Sequence, residues 1–190
     1  ERLELWQIGK PFKTADVHYV LNTTYIDSLT YAEASELSYF NYSGIHPRIV
    51  EPLINKHIPV YVYELSGGEK ILRTRINSQN IVTPQVVKSV AHTDEIAILR
   101  LNGPGVGFKP GILAKVTTAF FNRQINIRSV ITAQTSINII IDKQSVQQVR
   151  QICSELKFTS VSETDIAEHV SLIAVVGHGM QSHHGISAQL

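Results

Sequence analysis

This sequence is poor in cysteine, methionine and tryptophan, with one of each in 190 residues. The single cysteine, Cys153, excludes an intramolecular disulfide and a cysteine-based metal cluster. No apolar run reaches the roughly 18 residues that a membrane-spanning helix needs. The N-terminus also lacks the pattern of a secretory signal. We therefore expect no membrane partner and a cytoplasmic protein.

The chain also has no excess of charge of either sign. Lysine and arginine total 17 and aspartate and glutamate total 16, which gives a formal net charge of +1. This balance provides no bulk attraction to nucleic acid, so we expect no nucleic-acid partner. With 43% hydrophobic residues, the chain can form a buried core in one or two domains.

A glycine-rich phrase occurs twice, first in residues 96–114 and again in residues 170–188. The aligned glycines, separated by a constant interval, are Gly103, Gly105 and Gly111 in the first copy and Gly177, Gly179 and Gly185 in the second. Each copy predicts a buried strand, a loop with two glycines and the start of a helix. The second copy stops at Leu190, where its helix should begin. We therefore expect the chain to be a piece of a longer protein.

The first part of the chain predicts helices and strands packed in layers. Thr30 and Glu33 have the spacing of a capping box, which predicts a helix over Tyr31–Tyr39. Pro47 is suited to the first turn of another helix. Residues 58–63 are β-branched and aromatic, apart from one proline, and predict a strand.

The second part predicts the order β-α-β-β-α, followed by one more strand. The predicted strands are residues 95–101, 129–132, 136–141 and 170–176, and the predicted helices are residues 111–121 and 146–156. This order is the ferredoxin-like split βαβ layout. We place the domain boundary near Pro84, which gives domains 1–85, 86–168 and a truncated 169–190. The apolar strand 170–176 should pair with the preceding sheet or with another chain.

The glycine loops do not have the spacing of a nucleotide-binding motif. A dinucleotide fingerprint needs glycine where Phe108 or Pro110 stands, and a P-loop needs serine or threonine after Lys109. Two interpretations remain open. The loop is either a tight strand-to-helix connection or a helix start whose amides hold the carboxylate of a free amino acid.

Other reactive residue types give no site. His178, His183 and His184 have no carboxylate or thiolate nearby to complete a metal site, so we expect no metal there. His46, before Pro47, is expected to cap a helix. Cys153 is expected in the core, because it lies on the apolar side of its helix.

Two longer motifs resemble aspartate kinase, of the amino-acid-kinase family. The segments similar to the end of its kinase domain are residues 12–16, 29–40, 45–48 and 58–60. The glycine repeats, with residues 125–127 and 132–137, resemble its paired ACT regulatory domains. The resemblance covers nearly the whole chain. It implies a fold of α/β and α+β class: the end of an amino-acid-kinase αβα layer, a ferredoxin-like (βαββαβ) ACT domain and the start of a second ACT domain.

The resemblance implies a parent enzyme that uses ATP and Mg to phosphorylate the side-chain carboxylate of aspartate, the first step of lysine, threonine and methionine biosynthesis. Two acids of the family are replaced here by Ile8 and Lys10, and the family's N-terminal lysine segment is absent, so we assign no catalytic residue. Ser43 replaces a lysine expected near the phosphates, which should weaken charge stabilisation during phosphoryl transfer. The remnant nucleotide-binding candidates are Phe12, Lys13, Thr14, Asp16 and Ser43. A degenerate, non-catalytic assembly or regulatory module is the alternative.

The resemblance also implies a homodimer through the ACT domains, with an amino-acid effector where the glycine loop of one domain faces its partner. The effector-binding candidates are Val106, Phe108, Lys109, Gly111, Ile112, Leu113, Asn126, Ile127, Gln134 and Thr135. Backbone amides would hold the carboxylate, and carbonyls and side-chain amides would hold the ammonium group. Lysine-sensing members carry an acid where this chain has Arg128, so threonine, or no effector, is favoured over lysine.

Overall fold

The computed structural model describes residues 1–9, 12–40, 45–78, 86–156, 158, 160–178 and 180. The chain divides into two compact units. The first comprises Glu1–His92 and Ile173–Leu190, and the second comprises Thr93–Leu172. The second unit is thus an insertion between two segments of the first.

The elements are numbered in chain order. The strands are β1 (Leu3–Gln7), β2 (Ser28–Thr30), β3 (Val60–Ser66), β4 (Glu69–Asn77), β5 (Ser89–Thr93), β6 (Ile96–Asn102), β7 (Ile127–Ala133), β8 (Ser136–Asp142), β9 (Glu163–Ala167) and β10 (Leu172–Val176). The helices are α1 (Tyr31–Tyr39), α2 (Glu51–Ile54), α3 (Ile112–Asn122) and α4 (Val146–Glu155), with 3₁₀ turns at Pro47–Ile49 and Lys143–Ser145.

The first unit contains a four-stranded sheet in the order β1-β3-β4-β2. Strands β3 and β4 form a hairpin whose turn has Gly67 and Gly68 at positive φ, the conformation that such short turns require. Helix α1 has the predicted bounds. Its capping box is complete, because Glu33 N donates to Thr30 Oγ1 at 3.2 Å and Thr30 N donates to Glu33 Oε2 at 2.8 Å. The helix contributes Ala34 and Leu37 to the core of this unit.

The second unit has the expected ferredoxin-like order, β6-α3-β7-β8-α4-β9. Its sheet runs β7-β8-β6-β9, with every neighbouring pair antiparallel. The alternating apolar positions of β6 and β8 and the apolar faces of both helices meet in one core. Fully buried members of that core include Leu99, Phe120, Ile139 and Ile152.

The prediction of the last strand of this layout was wrong. The strand that completes the sheet is β9, whereas the apolar residues 170–176 contain β10, which belongs to a separate sheet. Strand β9 begins with the exposed residues Glu163, Thr164 and Asp165, so hydrophobicity did not reveal it. It lies at the edge of the sheet and pairs with β6 through its backbone, which a polar edge strand can do.

Strand β10 pairs with β5, which confirms that it pairs but not with the ferredoxin-like sheet. The β5–β10 pair repeats the geometry of β9–β6. Ser162 N donates to Asn102 O and Lys88 N donates to Val176 O, both at 2.9 Å. In the second glycine copy, β10 corresponds to β6, and β5 therefore takes the place of β9. Strand β5 precedes β10 in the chain, whereas β9 follows β6. Gly179 and Gly185 lie outside the described residues.

Candidate functional site

The first candidate site is the glycine loop between β6 and α3, residues 103–111. Phe108 N and Lys109 N both donate to Gly105 O at 3.0 Å, and Gly105 has a positive φ of 73°. These bonds fold the loop into consecutive turns. Gly105 permits them because a left-handed backbone conformation is unfavourable for a residue with a side chain.

The loop is bound to the turn between β7 and β8. Gly103 N donates to Thr135 O at 3.0 Å, and Gly107 N donates to Gln134 O at 3.1 Å. A Cβ atom on Gly107 would lie 1.9 Å from Ala133 O, so a larger residue has no space. The structure thus places Gln134 and Thr135 against the glycine loop. Both are distant from the loop in sequence, and both are among the predicted effector-binding residues.

Helix α3 begins beside this loop with Gly111 as its N-cap, at a φ of 90°. Glycine has no side chain that could accept a hydrogen bond from the first N–H groups of the helix. The N-cap position of α3 therefore provides no side-chain cap. The exposed helix start therefore presents N–H groups and a positive dipole end. Such a start is suited to a carboxylate.

The ten effector candidates fall into two groups. Those with side chains buried in or packed against the core of this unit are Val106, Ile112, Leu113 and Ile127. The exposed candidates are Phe108, Lys109, Gly111, Asn126, Gln134 and Thr135. Asn126 and Ile127 do not lie at the loop, because Ile127 is level with Ala97 through Ile141, at the end of the sheet opposite Asn102 and the loop that follows it. Val106 and Ile112 are buried and can contribute only backbone groups to a ligand, whereas Leu113 and Ile127 are partly buried. The exposed candidates can contribute side chains. Lys109 Nζ donates to Ser160 Oγ at 2.7 Å, which fixes its position beside the loop.

Arg128 forms an ion pair within the sheet. Its Nε donates to Asp142 Oδ1 at 2.5 Å, and the two side chains are about one fifth exposed. The strand has an irregular register between Ile127 and Ser129, which places Arg128 in a bulge. Because Asp142 balances the charge of Arg128, the sequence argument against a lysine effector loses its main support.

The second candidate site is the loop of residues 13–25 in the first unit, which we name the remnant nucleotide loop after the prediction that Lys13, Thr14 and Asp16 bind nucleotide. Phe12, which precedes it, is fully buried in the core. Thr14 N donates to Thr24 O at 2.9 Å, and Thr24 N donates to Thr14 Oγ1 at 3.1 Å. These two bonds close the base of the loop. Lys13 also lies at this base, with its ammonium group 5.1 Å from the centre of the Tyr25 ring.

Asp16 lies on the outer part of this loop and binds His18. Its Oδ1 accepts a hydrogen bond from His18 N at 2.9 Å and lies 2.8 Å from His18 Nδ1. Burial raises the pKa of the Asp16 carboxyl, but the hydrogen bonds with His18 outweigh it and hold that pKa below its usual value. Asp16 is therefore an ionised acceptor at neutral pH. Ser43 and Lys10 lie outside the described residues.

The remaining sequence candidates have structural roles where the chain is described. His46 Nδ1 accepts a hydrogen bond from Arg48 N at 3.2 Å, which confirms its role as a helix cap. Cys153 packs against the core, and burial raises the pKa of its thiol, which makes it a poor nucleophile. His183 and His184 lie outside the described residues. Across the described ranges, no group of three histidine, cysteine or acidic residues could hold a metal, and no helix could span a membrane.

One buried ion pair was not foreseen. Lys88 Nζ donates to Glu33 Oε2 at 2.8 Å, and the side chains are only 8% and 5% exposed. Lys88 lies just before β5, and Glu33 lies in the first turn of α1. A pair that joins residues so distant in sequence leaves no local pattern, so it could not be found without the fold.

Comparison with known proteins confirms the resemblance. No family model matches the chain. The bifunctional aspartokinase/homoserine dehydrogenases of Buchnera aphidicola and Haemophilus influenzae are each 26% identical, over 98% of this chain and 24% of their own length. Aspartokinase 3 of Arabidopsis thaliana is 26% identical over 95% of this chain and 33% of its own length. The chain thus spans a quarter to a third of these relatives.

The solved structures confirm the fold class. The aspartate kinase of Clostridium acetobutylicum aligns with a TM-score of 0.81 and 19% identity, covering 98% of this chain and 43% of that protein. Aspartokinase III of E. coli, solved with aspartate and ADP, aligns with a TM-score of 0.80 and 20% identity, covering 99% of this chain and 42% of that protein. The arrangement of elements is thus shared with a part of each of these kinases.

Proposed function

We propose that this chain, which resembles aspartokinases over nearly its whole length, is the part of an aspartate kinase that joins the end of the kinase domain to its ACT regulatory region. The parent protein would transfer a phosphoryl group from ATP, with Mg, to the side-chain carboxylate of aspartate. The named relatives support the reaction, and the shared fold supports the placement. Because the chain spans only part of those relatives, the activity belongs to the parent protein.

The regulatory role is to bind a free amino acid at the glycine loop of the second unit. The observation that carries this proposal is the exposed helix start at Gly111 beside a loop fixed to the β7–β8 turn. Its amides would hold the ligand carboxylate. Gln134 is exposed in the turn bound to the loop, and its side-chain carbonyl can accept a hydrogen bond from the ammonium group. E. coli aspartokinase III has also been solved with lysine and aspartate, so lysine is a candidate here beside the threonine that the sequence favours.

Isothermal titration calorimetry of the chain with threonine and with lysine tests this role. We expect one of them to bind. Gln134→Ala should weaken that binding about tenfold, because it removes a hydrogen bond to a charged group. Gln144→Ala, at an exposed position in the 3₁₀ turn before α4, is the matched control and should bind as the unaltered chain does. Absence of heat with both amino acids, on a folded chain, would contradict effector binding.

We also propose that two copies pair through the second unit. Strand β7 lies at the edge of its sheet, so one side of its backbone has no neighbouring strand in the described chain. Val130 and Ile131 on this strand are exposed, at 36% and 56%. An edge strand with exposed apolar residues is suited to pairing with another chain.

A non-catalytic parent is the second candidate, because the acids that the family carries before Phe12 are replaced. At one of these positions, Ile8 is 80% exposed and offers no metal or phosphate ligand. A coupled assay for aspartate-dependent ADP formation by the full-length parent protein separates the two candidates. Turnover supports the kinase, and its absence in a protein that still binds the effector supports the regulatory module.

A further inference from the structure

Strand β5 connects the remnant nucleotide loop to the second glycine copy. On one side, Lys88 N, immediately before β5, donates to Val176 O of β10 at 2.9 Å. On the other, Ser89 Oγ donates to Lys13 O at 2.8 Å and Val90 N donates to Thr14 O at 3.0 Å. The base of the nucleotide loop is therefore bound to the same strand that pairs with β10.

The outer part of the loop also contacts β5. The ring of Tyr19 meets the ring of His92 edge to face, with 4.6 Å between the ring centres. Tyr19 is 66% exposed and follows Asp16 by three residues. Both the base and the outer part of the loop thus depend on where β5 lies.

The start of β5 is in turn fixed to helix α1. Lys88 Nζ donates to Glu33 Oε2 at 2.8 Å and to Ser28 O at 3.1 Å. The same Glu33 oxygen accepts from Thr30 N in the capping box. Because this pair is buried, its geometry is held more tightly than that of a solvent-exposed pair. Ser89 is itself 1% exposed, so solvent cannot replace its bond to Lys13 O.

We propose that Ser89 and Lys88 are positioning residues for the nucleotide loop. Lys88 fixes β5 against α1, and Ser89 fixes the base of loop 13–25 against β5. A displacement of the β5–β10 pair would then move the carbonyl groups of Lys13 and Thr14 with it. The identity of the ligand rests on the proposed function, whereas the positioning of the loop does not.

Hydrogen–deuterium exchange of the ligand-free chain tests the positioning directly. Ser89→Ala should speed exchange in peptides covering residues 12–26 about two- to tenfold, as loss of one buried hydrogen bond predicts. Ser89→Thr keeps the hydroxyl and should restore slow exchange. Ser154→Ala is the matched control, because it also removes a serine bond to a carbonyl, that of Gln151, but on α4. Exchange in residues 12–26 that does not change in Ser89→Ala would overturn the proposal.

Kinetics of the full-length parent protein supply the second readout. Ser89→Ala should raise the KM for ATP about two- to tenfold and change kcat less than twofold, with Ser89→Thr recovering the KM. An unchanged KM for ATP in an active parent protein would overturn the proposal that Ser89 affects nucleotide binding. A parent without turnover would count against the proposed kinase, and the exchange result would still decide whether Ser89 positions the loop.

Discussion

At the scale of single residues, two positions require glycine because another backbone segment lies too close for any side chain. A Cβ atom on Gly103 would lie 2.2 Å from Ser160 O, and one on Gly177 would lie 2.0 Å from Val86 O. These two glycines occupy the same place in the two copies. The repeat was visible in the sequence because both copies need the same narrow contact. The segments they contact, Ser160 and Val86, have no such repeat and could not be predicted.

Gly107 and Gly105 allow the two reasons for glycine to be separated. Gly107→Ala should destabilise the second unit by about 3 kcal/mol or more, because the new methyl group would meet the backbone at Ala133. Gly105→Ala meets nothing within 4 Å and carries only the strain of positive φ, about 1 kcal/mol. Hydrogen exchange of β8 peptides in increasing urea measures both. Equal losses would show that the loop moves away from the β7–β8 turn without cost.

At the scale of elements, residues close together in sequence were sufficient to predict some helices and strands but gave no information about others. Helix α1 was predicted with its bounds because Thr30 and Glu33 mark its start within four residues. The glycine loop and α3 were likewise marked by residues next to each other. The β5–β10 pair was missed, because its strands are separated in sequence by the whole second unit. For the same reason, Lys88 could not be assigned as the partner of Glu33.

The Lys88–Glu33 pair joins two elements, and its removal should therefore destabilise the first unit. Lys88→Met leaves a buried carboxylate without its partner, which should cost about 3–5 kcal/mol. The double variant Glu33→Gln, Lys88→Met should recover most of this loss, because glutamine can still accept from Thr30 N. Trp6, the one tryptophan, lies in β1 and reports unfolding of this unit by fluorescence in urea.

Lys56→Met is the matched control for that comparison. Lys56 is exposed in the turn after α2, so this variant should stay within about 0.5 kcal/mol of the unaltered chain. A loss below about 1 kcal/mol in Lys88→Met would show that burial of Glu33 does not depend on Lys88. In that case the pair would not be what fixes β5 to α1.

At the scale of the whole molecule, a complete ferredoxin-like unit is inserted between two paired strands of another sheet. The inserted unit has a core of its own and carries the proposed effector site. Strands β5 and β10, which belong mainly to the first unit, are thus the two segments through which the chain enters and leaves the second unit. Any signal that passes along the backbone from the inserted unit must begin or end at β5 or β10.

The proposed dimer is the property of the whole molecule that one substitution can test. Ile131→Lys places a charge on the edge strand β7, where a second copy would pair, and should raise the dimer dissociation constant at least about tenfold. Thr118→Lys adds the same charge on the exposed side of α3 and serves as the control. Sedimentation velocity of the chain across a concentration series measures both.

Because Ile131 is 56% exposed, its replacement should leave the fold of the unit intact, which far-ultraviolet circular dichroism checks. If Ile131→Lys dimerises as tightly as Thr118→Lys, then β7 is not the interface. An unaltered chain that stays monomeric throughout would instead contradict a dimer formed by this part of the protein alone.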